Sequence, residues 1–190
     1  MIILASQSPR RKQLMEKYVT SSFVCEPANV DEIKDERLPA EENVKINALK
    51  KGIFIFQKYP HALVISADTV VVLNNIIYGK PKDEEDAKRI LKELSGKTHK
   101  VITAYFIKQG NKEVLKTVIS LVTFKRLSDK VIDEYVATKS PLDKAGAYGI
   151  QDEYCKNIIK TYAGSLNNII GFPIEDIKKD LSNFTLKEFY

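Results

Sequence analysis

Two adjacent arginines stand where a helix is predicted to begin, directly after the first apolar run of the chain. Residues 2–5 predict a short strand, and Ser8 followed by Pro9 is typical of a helix cap and its first residue. Free N–H groups and the helix dipole favour an anion at such a helix start, and Arg10 and Arg11 add donors suited to phosphate oxygens. Because cations at a helix N-terminus oppose the dipole, a phosphate site explains them better than the alternative, a solvated basic first turn.

Asp68 is a lone carboxylate between two runs rich in valine and isoleucine, residues 63–66 and 70–73. These runs predict strand, and a carboxylate within such a run is costly unless it is paired, protonated or bound to a metal. The end of a strand is also a usual position for a metal ligand or a general base. Two interpretations stay open from these residues: a catalytic or metal-binding Asp68, or an aspartate that closes a strand by accepting backbone N–H groups.

Further charged groups suit the same chemistry, although each of them taken alone favours plain solvation. Lys80 lies between a glycine and a proline, where a constrained backbone can present its ammonium group to a phosphate. Asp31 and Glu32 lie in a polar loop and offer carboxylates to Mg²⁺, which usually binds one or two of them together with phosphate and water. Lys50 and Lys51 lie on a predicted helix, where one of the two can turn inward.

Residues 143–151 contain two glycines, which allow the backbone to approach a ligand closely, and the segment ends in Gln151. The amide of Gln151 has a donor and an acceptor, as the carbonyl and imide edge of uracil or thymine requires. Taken alone, the segment favours the other interpretation, a structural turn that enters a strand. The two histidines, His61 and His99, are too far apart in sequence to predict a catalytic or metal site, and His99 is expected to pack or to form a hydrogen bond.

The elements that must position these residues alternate between helix and strand. Asn74 and Asn75 predict a tight turn, since asparagine tolerates positive φ, and Gly96 is typical of a helix C-terminus. The alternation, together with long hairpins, predicts an α/β fold with a mixed, twisted central sheet flanked by helices. One predicted helix starts at Ser8, and the others cover residues 41–59, 83–95, 128–138 and 173–181. The predicted strands cover residues 2–5, 23–26, 63–66, 70–73, 76–78, 101–108, 114–125 and 155–161.

Composition narrows the classes of protein that the chain can represent. Its 190 residues include 30 Lys and Arg against 25 Asp and Glu, a net charge of +5 that favours an anionic partner. Cys25 and Cys155 fit neither a disulfide framework nor a zinc site. Because no apolar run approaches the length of a membrane span and no basic-aromatic pattern indicates nucleic-acid binding, we expect a cytoplasmic protein that binds a small phosphorylated ligand, with no membrane and no nucleic-acid partner.

Five stretches, in order along nearly the whole chain, together resemble the Maf family of nucleoside triphosphate pyrophosphatases, also known as septum formation inhibitors. Any one of them would be weak, whereas five in order are highly specific. They are Leu4-Ala5-Ser6-x-Ser8-Pro9-Arg10-Arg11, Ala67-Asp68-Thr69-Val70-Val71, Gly79-Lys80-Pro81, Leu94-Ser95-Gly96-x-Thr98-His99-x-Val101-x-Thr103 and residues 143–151. Within the family, Ala147-Tyr148-Gly149-Ile150-Gln151 is similar to the branch that acts on dTTP and UTP.

This resemblance implies a single domain over residues 1–190, with a fold similar to inosine triphosphate pyrophosphatases and a cleft between two lobes. It implies cleavage of the α–β phosphoanhydride, assisted by a divalent metal, Mg²⁺ or Mn²⁺, to give a nucleoside monophosphate and pyrophosphate. Asp68 matches the family's proton acceptor, and Glu32 and Asp68 are the implied metal carboxylates. Catalytic roles are also implied for Glu32, Lys80 and Lys50, with Lys51 competing for the role of Lys50. Ser8, Arg10, Arg11, Thr69 and Gln151 match positions that bind the substrate.

Two other functions compete with this interpretation. The first is a house-cleaning hydrolase of modified pyrimidine nucleotides, which would use the same site. The second is a non-catalytic, nucleotide-binding regulator of cell division, although Asp68, Arg10 and Arg11, whose loss would mark such a protein, are all present. A homodimer is a common default for soluble proteins, and the sequence carries no further sign of the oligomeric state.

Overall fold

The computed structural model describes residues 1–184, which cluster into two compact units. The first unit comprises Met1–Asp68, Thr103–Val118 and the described residues from Gly171 on. The second comprises Thr69–Ile102 and Ile119–Ile170. The single domain over residues 1–190 stays a prediction.

Within residues 1–184, seven strands form one mixed sheet, as the alternating pattern predicts. The strand order is β2-β1-β3-β5-β6-β7, and β4 pairs with β3 off this path. β1 is parallel to β2 and β3, whereas β4 is antiparallel to β3 and β7 is antiparallel to β6. The strands are β1 (Ile2–Leu4), β2 (Val24–Cys25), β3 (Leu63–Leu73), β4 (Ile76–Tyr78), β5 (Thr98–Gln109), β6 (Lys112–Phe124) and β7 (Ile159–Ala163).

The predicted helix caps are confirmed where serine or aspartate precedes the first turn. The side chains of Ser8, Asp83 and Ser128 each accept the backbone N–H three residues later, which satisfies one of the free donors of a helix start. The helices are α1 (Pro9–Tyr18), α2 (Ala40–Lys58), α3 (Glu84–Leu94), α4 (Asp129–Ala137), α5 (Leu166–Ile170) and α6 (Ile174–Leu181). No helix within residues 1–184 combines the length and the apolar content that crossing a membrane requires.

In the first unit, helix α2 packs against the sheet at unusually close range, and Gly52 makes this possible. A Cβ atom at Gly52 would lie 2.3 Å from Cδ1 of Phe106 on β5 and 2.8 Å from Oγ of Ser66 on β3. Ser66 Oγ also donates a hydrogen bond of 2.6 Å to the carbonyl oxygen of Ala48, which fixes the helix over the strand. The glycine therefore sets the height of α2 above β3, and with it the reach of the neighbouring side chains on that face.

In the second unit, α3 and α4 cover an apolar core that includes Leu91, Leu94 and Tyr135. His99, Phe124 and Tyr148 form an aromatic cluster within this core, with ring centroids 4.8–5.3 Å apart and edge-on geometry. The hydroxyl of Tyr148 lies 2.8 Å from Nε2 of His99. The prediction that His99 packs and forms a hydrogen bond is confirmed.

Three local differences separate the predicted elements from the observed ones. Residues 63–73 form one continuous strand through Asp68 rather than two, because Asp68 finds side-chain partners instead of ending the strand. The predicted strand 155–161 is shifted, since Glu153–Asn157 forms a 3₁₀ helix and pairing with β6 starts at Ile159. The third difference is helix α5, which the sequence pattern did not predict.

Two predicted turns are confirmed by the backbone angles. Asn74 and Asn75 have φ values of 51° and 65°, as the predicted tight turn requires. Gly96, the predicted end of a helix, has a φ of 70°.

Candidate active site

Asp68 lies in the middle of β3, where 6% of the residue is exposed, and both of its carboxylate oxygens are held by side chains of α2. Lys51 Nζ lies 2.7 Å from Oδ1, and Nδ2 of Asn47 donates to Oδ2 at 3.2 Å. Asn47 and Lys51 are four residues apart and so occupy one helix face. The carboxylate is thus paired, as its burial requires, and is held in one orientation.

Lys51 also contacts the second predicted carboxylate. Its Nζ lies 2.5 Å from Oε1 of Glu32, so one ammonium group bridges Glu32 and Asp68. Lys50, one residue earlier and about 100° around the helix, instead donates to the carbonyl oxygen of Asp31 at 2.7 Å. Of the two competing lysines, the structure places Lys51 and not Lys50 against Asp68.

Two buried asparagines of α2 fix the loop that carries Glu32. Asn47 Oδ1 accepts from the backbone N–H of Ile33 at 2.8 Å, and its Nδ2 donates to the carbonyl oxygen of Ile33 at 3.0 Å. Asn43 makes the same pair of contacts with the backbone of Asp35, at 2.7 and 2.9 Å. Neither asparagine is among the site residues predicted from the sequence. Their signal was present, because Asn43 and Asn47 are polar and lie beside Val44 and Ala48 on the buried face of the helix.

Arg11 is anchored beside Asp68 through the backbone. Its Nε donates to the carbonyl oxygen of Gly171 at 2.8 Å, and its Nη1 donates to that of Ala67 at 2.9 Å. Burial lowers the pKa of the guanidinium group, and the nearby negative charges of Asp68 and Glu32 oppose that shift. Arginine still carries its charge at neutral pH, so Arg11 puts a fixed positive charge close to the Asp68 carboxylate.

Ser8 and Arg10 belong to the same helix start. Ser8 Oγ accepts from the N–H of Arg11 at 3.4 Å, and the N–H of Ser8 donates to Oγ of Ser6 at 3.1 Å. Arg10 is half-buried and lowers the pKa of Arg11 through its like charge. Ser8 therefore caps α1, and its predicted contact with substrate stays a prediction, as does that of Arg10.

The remaining predicted residues lie in the second unit. Thr69 follows Asp68 on β3 and is half-buried, while Lys80 and Gln151 are exposed. The segments that carry Lys80 and Gln151 are tied together, because the N–H of Gly146 donates to the carbonyl oxygen of Gly79 at 3.0 Å. Gly146 has a φ of 71°, and a Cβ atom there would lie 2.6 Å from Val71 Cγ2, so only glycine fits this approach. The predicted roles of these three residues stay predictions.

The fit of a divalent cation can be tested on the two predicted metal carboxylates. Glu32 and Asp68 both point at one position, which Lys51 Nζ occupies, so their oxygens converge as ligands of a single hard cation would. Within residues 1–184, no three histidine, cysteine, aspartate or glutamate side chains group as a metal site. Two carboxylates nevertheless match the usual ligation of Mg²⁺, which completes its shell with phosphate and water. The donor set therefore fits such an ion bound together with a polyphosphate.

Comparison with known proteins places this geometry in a family context. The profile of a family described as "Maf-like protein" matches residues 1–184. A dTTP/UTP pyrophosphatase of Pyrococcus furiosus is 42% identical over 174 residues, which is 91% of this chain and 90% of the relative. Proteins with the same name from Akkermansia muciniphila (40% identity, 95% of each chain) and Clostridioides difficile (41% identity, 100% of this chain and 98% of the relative) are similarly close.

Proposed function

The chain belongs to the Maf family, and from this premise we propose that it is a nucleoside triphosphate pyrophosphatase that hydrolyses dTTP and UTP. Relatives of 37–42% identity over most of the chain carry that name, which supports both the reaction and the pyrimidine substrates. The products are then dTMP or UMP and pyrophosphate. The observation that carries the proposal is the convergence of Lys51, Glu32 and Arg11 around the buried Asp68.

Cleavage of the α–β bond needs a water molecule activated at the α-phosphorus. In the proposed step Asp68 accepts a proton from water, and the water oxygen forms a bond to the α-phosphorus. The bond between that phosphorus and the oxygen that bridges to the β-phosphorus breaks, and pyrophosphate leaves with the bridging oxygen. Because phosphoryl transfer depends mainly on positioning and charge stabilisation, a carboxylate held at both oxygens by Lys51 and Asn47 is suited to orient the water.

Positive charge on the protein neutralises the triphosphate. We assign this role to Arg10 and Arg11 at the start of α1, and to Lys80 in the second unit. Arg11 is supported by its fixed place beside Asp68, whereas Arg10 and Lys80 rest on the family resemblance and on their charge. Lys51 takes the part that the sequence analysis assigned to Lys50, because Lys51 is the lysine in contact with Asp68.

Glu32 and Asp68 would hold the divalent metal. When bound, Mg²⁺ or Mn²⁺ supplies charge neutralisation to the phosphate oxygens. Lys51 already contacts both carboxylates, so its positive charge would add to that of the ion beside the phosphates.

Base recognition is assigned to Gln151, and contacts to the substrate beside Asp68 are assigned to Thr69. A glutamine amide can pair with the imide edge that uracil and thymine share. Ser8 contributes through the helix start that it caps.

The test is identification of products from wild-type protein and from an Asp68→Asn variant. We expect UTP and dTTP with Mg²⁺ to give the monophosphate and pyrophosphate, and Asp68→Asn to lower turnover by about 10²-fold or more, the scale of general-base loss. An Asp133→Asn variant, which removes an exposed carboxylate paired with Lys88, is the charge-matched control and should retain activity.

Other products would contradict the proposal in distinguishable ways. Orthophosphate and a diphosphate would mean that a different bond is cut. Turnover of modified pyrimidine nucleotides in strong preference to UTP would favour the house-cleaning hydrolase. Nucleotide binding without any turnover would favour the non-catalytic regulator, and near-normal turnover in a folded Asp68→Asn variant would remove Asp68 from its role.

A further inference from the structure

Asp152, the residue after Gln151, is the centre of a hydrogen-bond network in the second unit. Its Oδ2 lies 2.6 Å from the hydroxyl of Tyr135, 2.7 Å from Oγ of Ser140 and 3.6 Å from Nζ of Lys144. Lys144 is buried and donates as well to the carbonyl oxygen of Ser140 at 2.6 Å. The carboxylate thus ties the segment before Gln151 to helix α4.

The direction of each hydrogen bond around Oδ2 is fixed by the other partners of the donors. The Tyr135 hydroxyl accepts from the N–H of Gly149 at 3.1 Å, so its own proton is directed to Asp152. Ser140 Oγ accepts from Lys144 Nζ at 3.0 Å and so donates to Asp152 in the same way. Each of these three neighbours of Oδ2 is therefore a donor, and the Asp152 carboxylate accepts from all of them.

The other carboxylate oxygen faces the amide of Gln151. Gln151 Nε2 lies 3.3 Å from Oδ1 of Asp152. Because a carboxylate accepts and does not donate, the end of the amide that faces Asp152 has to be the NH₂ group. The carbonyl oxygen Oε1 is the end that is left to meet a ligand.

The backbone at Gly149 also restricts where the Gln151 amide can lie. A Cβ atom at Gly149 would lie 2.7 Å from Gln151 Nε2 and 2.6 Å from Cε of Lys144. The NH₂ group of Gln151 therefore fits against the backbone only because residue 149 has no side chain. Asp152 and Gly149 together define both the place and the orientation of the amide.

We propose that Asp152 is a positioning residue for base selection, which orients the Gln151 amide so that its carbonyl oxygen accepts from the N3–H of uracil or thymine. Cytosine carries an acceptor at N3, so for a base held at a fixed position by its sugar and phosphates the same Oε1 would meet another acceptor. This inference rests on the proposed function and explains how a glutamine, whose two amide ends are nearly equal in shape, selects the imide edge.

The decisive variant is Asp152→Asn. The donors around Oδ2 favour the carbonyl end of the new amide at that position, which directs its NH₂ group toward Gln151. Gln151 then turns its own oxygen inward and its NH₂ group toward the base, which favours cytosine N3. We expect the ratio of kcat/KM for UTP to that for CTP to fall by at least about tenfold, the scale of one good base contact.

Two further variants keep the test informative. Glu153→Gln removes an exposed carboxylate next in sequence, paired at 3.9 Å with Lys156, and should leave the ratio unchanged. Gly149→Ala displaces the ends of two flexible side chains and no backbone, so we expect it to fold as the wild type does and to lower the ratio as well. If Asp152→Asn does not fold, Gly149→Ala decides.

The outcomes separate this inference from the proposed function. Equilibrium binding of UMP and CMP measures the preference for uracil without hydrolysis, so a wild type that binds UMP better than CMP but cleaves no triphosphate would contradict only the proposed function. A folded Asp152→Asn variant whose ratio stays within about twofold of wild type would overturn the inference alone. A wild type with no preference for uracil would overturn the inference together with the base recognition assigned to Gln151.

Discussion

The ammonium group of Lys51 lies 2.7 Å from Oδ1 of Asp68 and also contacts Glu32. The neighbouring Lys50 has the same side chain but contacts the carbonyl oxygen of Asp31 instead. The difference is one of helix phase, since successive residues of α2 point about 100° apart. The contact between Lys51 and Asp68 also depends on Gly52, because this glycine lets α2 approach β3 closely enough.

Replacing Lys51 should impair catalysis, whereas replacing Lys50 should not. Lys51→Met removes a charge-assisted hydrogen bond of about 1.5–3 kcal/mol from Asp68, so kcat/KM for UTP should fall by about tenfold or more. Lys50→Met is the matched control and should stay within about twofold, since Lys50 contacts only the Asp31 carbonyl oxygen among the hydrogen bonds found for its side chain in residues 1–184. Equal losses in both variants would contradict the assignment.

Removal of the divalent metal should abolish turnover, and Glu32 should set the metal requirement. With chelator we expect no hydrolysis of UTP, and activity should return when Mg²⁺ is added in excess. Glu32→Gln should raise the Mg²⁺ concentration for half-maximal rate by at least about tenfold. Glu26→Gln, which removes a carboxylate paired with Lys58 in the same unit, should leave that concentration unchanged. An unaltered Mg²⁺ dependence in Glu32→Gln would exclude Glu32 as a ligand.

The buried His99 should make stability depend on pH. Burial lowers its pKa to about 4, below the value of about 6.5 in the unfolded chain. The stabilisation is complete above pH 6.5 and is lost as the pH falls toward 4, because only the unfolded state then gains the proton. The loss should be about 3 kcal/mol of unfolding free energy, measured by urea denaturation across this range.

His99→Gln should remove that part of the pH dependence. His61, the only other histidine of the chain, is exposed, and His61→Gln should retain the wild-type profile. An unchanged slope between pH 6.5 and 4 in a folded His99→Gln variant would show that other groups cause it.

Gly52→Ala should destabilise the first unit by overpacking. The added methyl group would lie 2.3 Å from the ring of Phe106, so α2 or the ring has to move, at a cost of about 1–3 kcal/mol. A Cβ atom at Gly79 meets no atom of residues 1–184 within 4 Å, so Gly79→Ala is the control and should change stability by less than about 0.5 kcal/mol. Denaturant unfolding of both variants measures the difference, and equal stabilities would contradict close packing at Gly52.

Local signals predicted most of the elements. Ser8, Asp83 and Ser128 act within one helical turn of their own position, and Asn74 and Asn75 determine their own φ values, so these boundaries were correct. The strand predicted from residue 155 was wrong at its start, where Glu153–Asn157 forms a 3₁₀ helix. The apolar residues there fit strand and turn alike, and the choice depends on pairing with β6.

The sequence by itself determined the alternation of strand and helix, the caps and turns, and the residue types at Asp68 and Arg11 that suit phosphate chemistry. Only the tertiary structure decided that Lys51 rather than Lys50 meets Asp68, that Asn43 and Asn47 hold the loop of Glu32, and that Asp152 faces the Gln151 amide. Asp68 finds its partners 17 and 21 residues away, on a helix whose height depends on Gly52. Such contacts depend on the packing of whole elements, to which a pattern of neighbouring residues is insensitive, and a shift of one residue turns a helical side chain about 100° away from its partner.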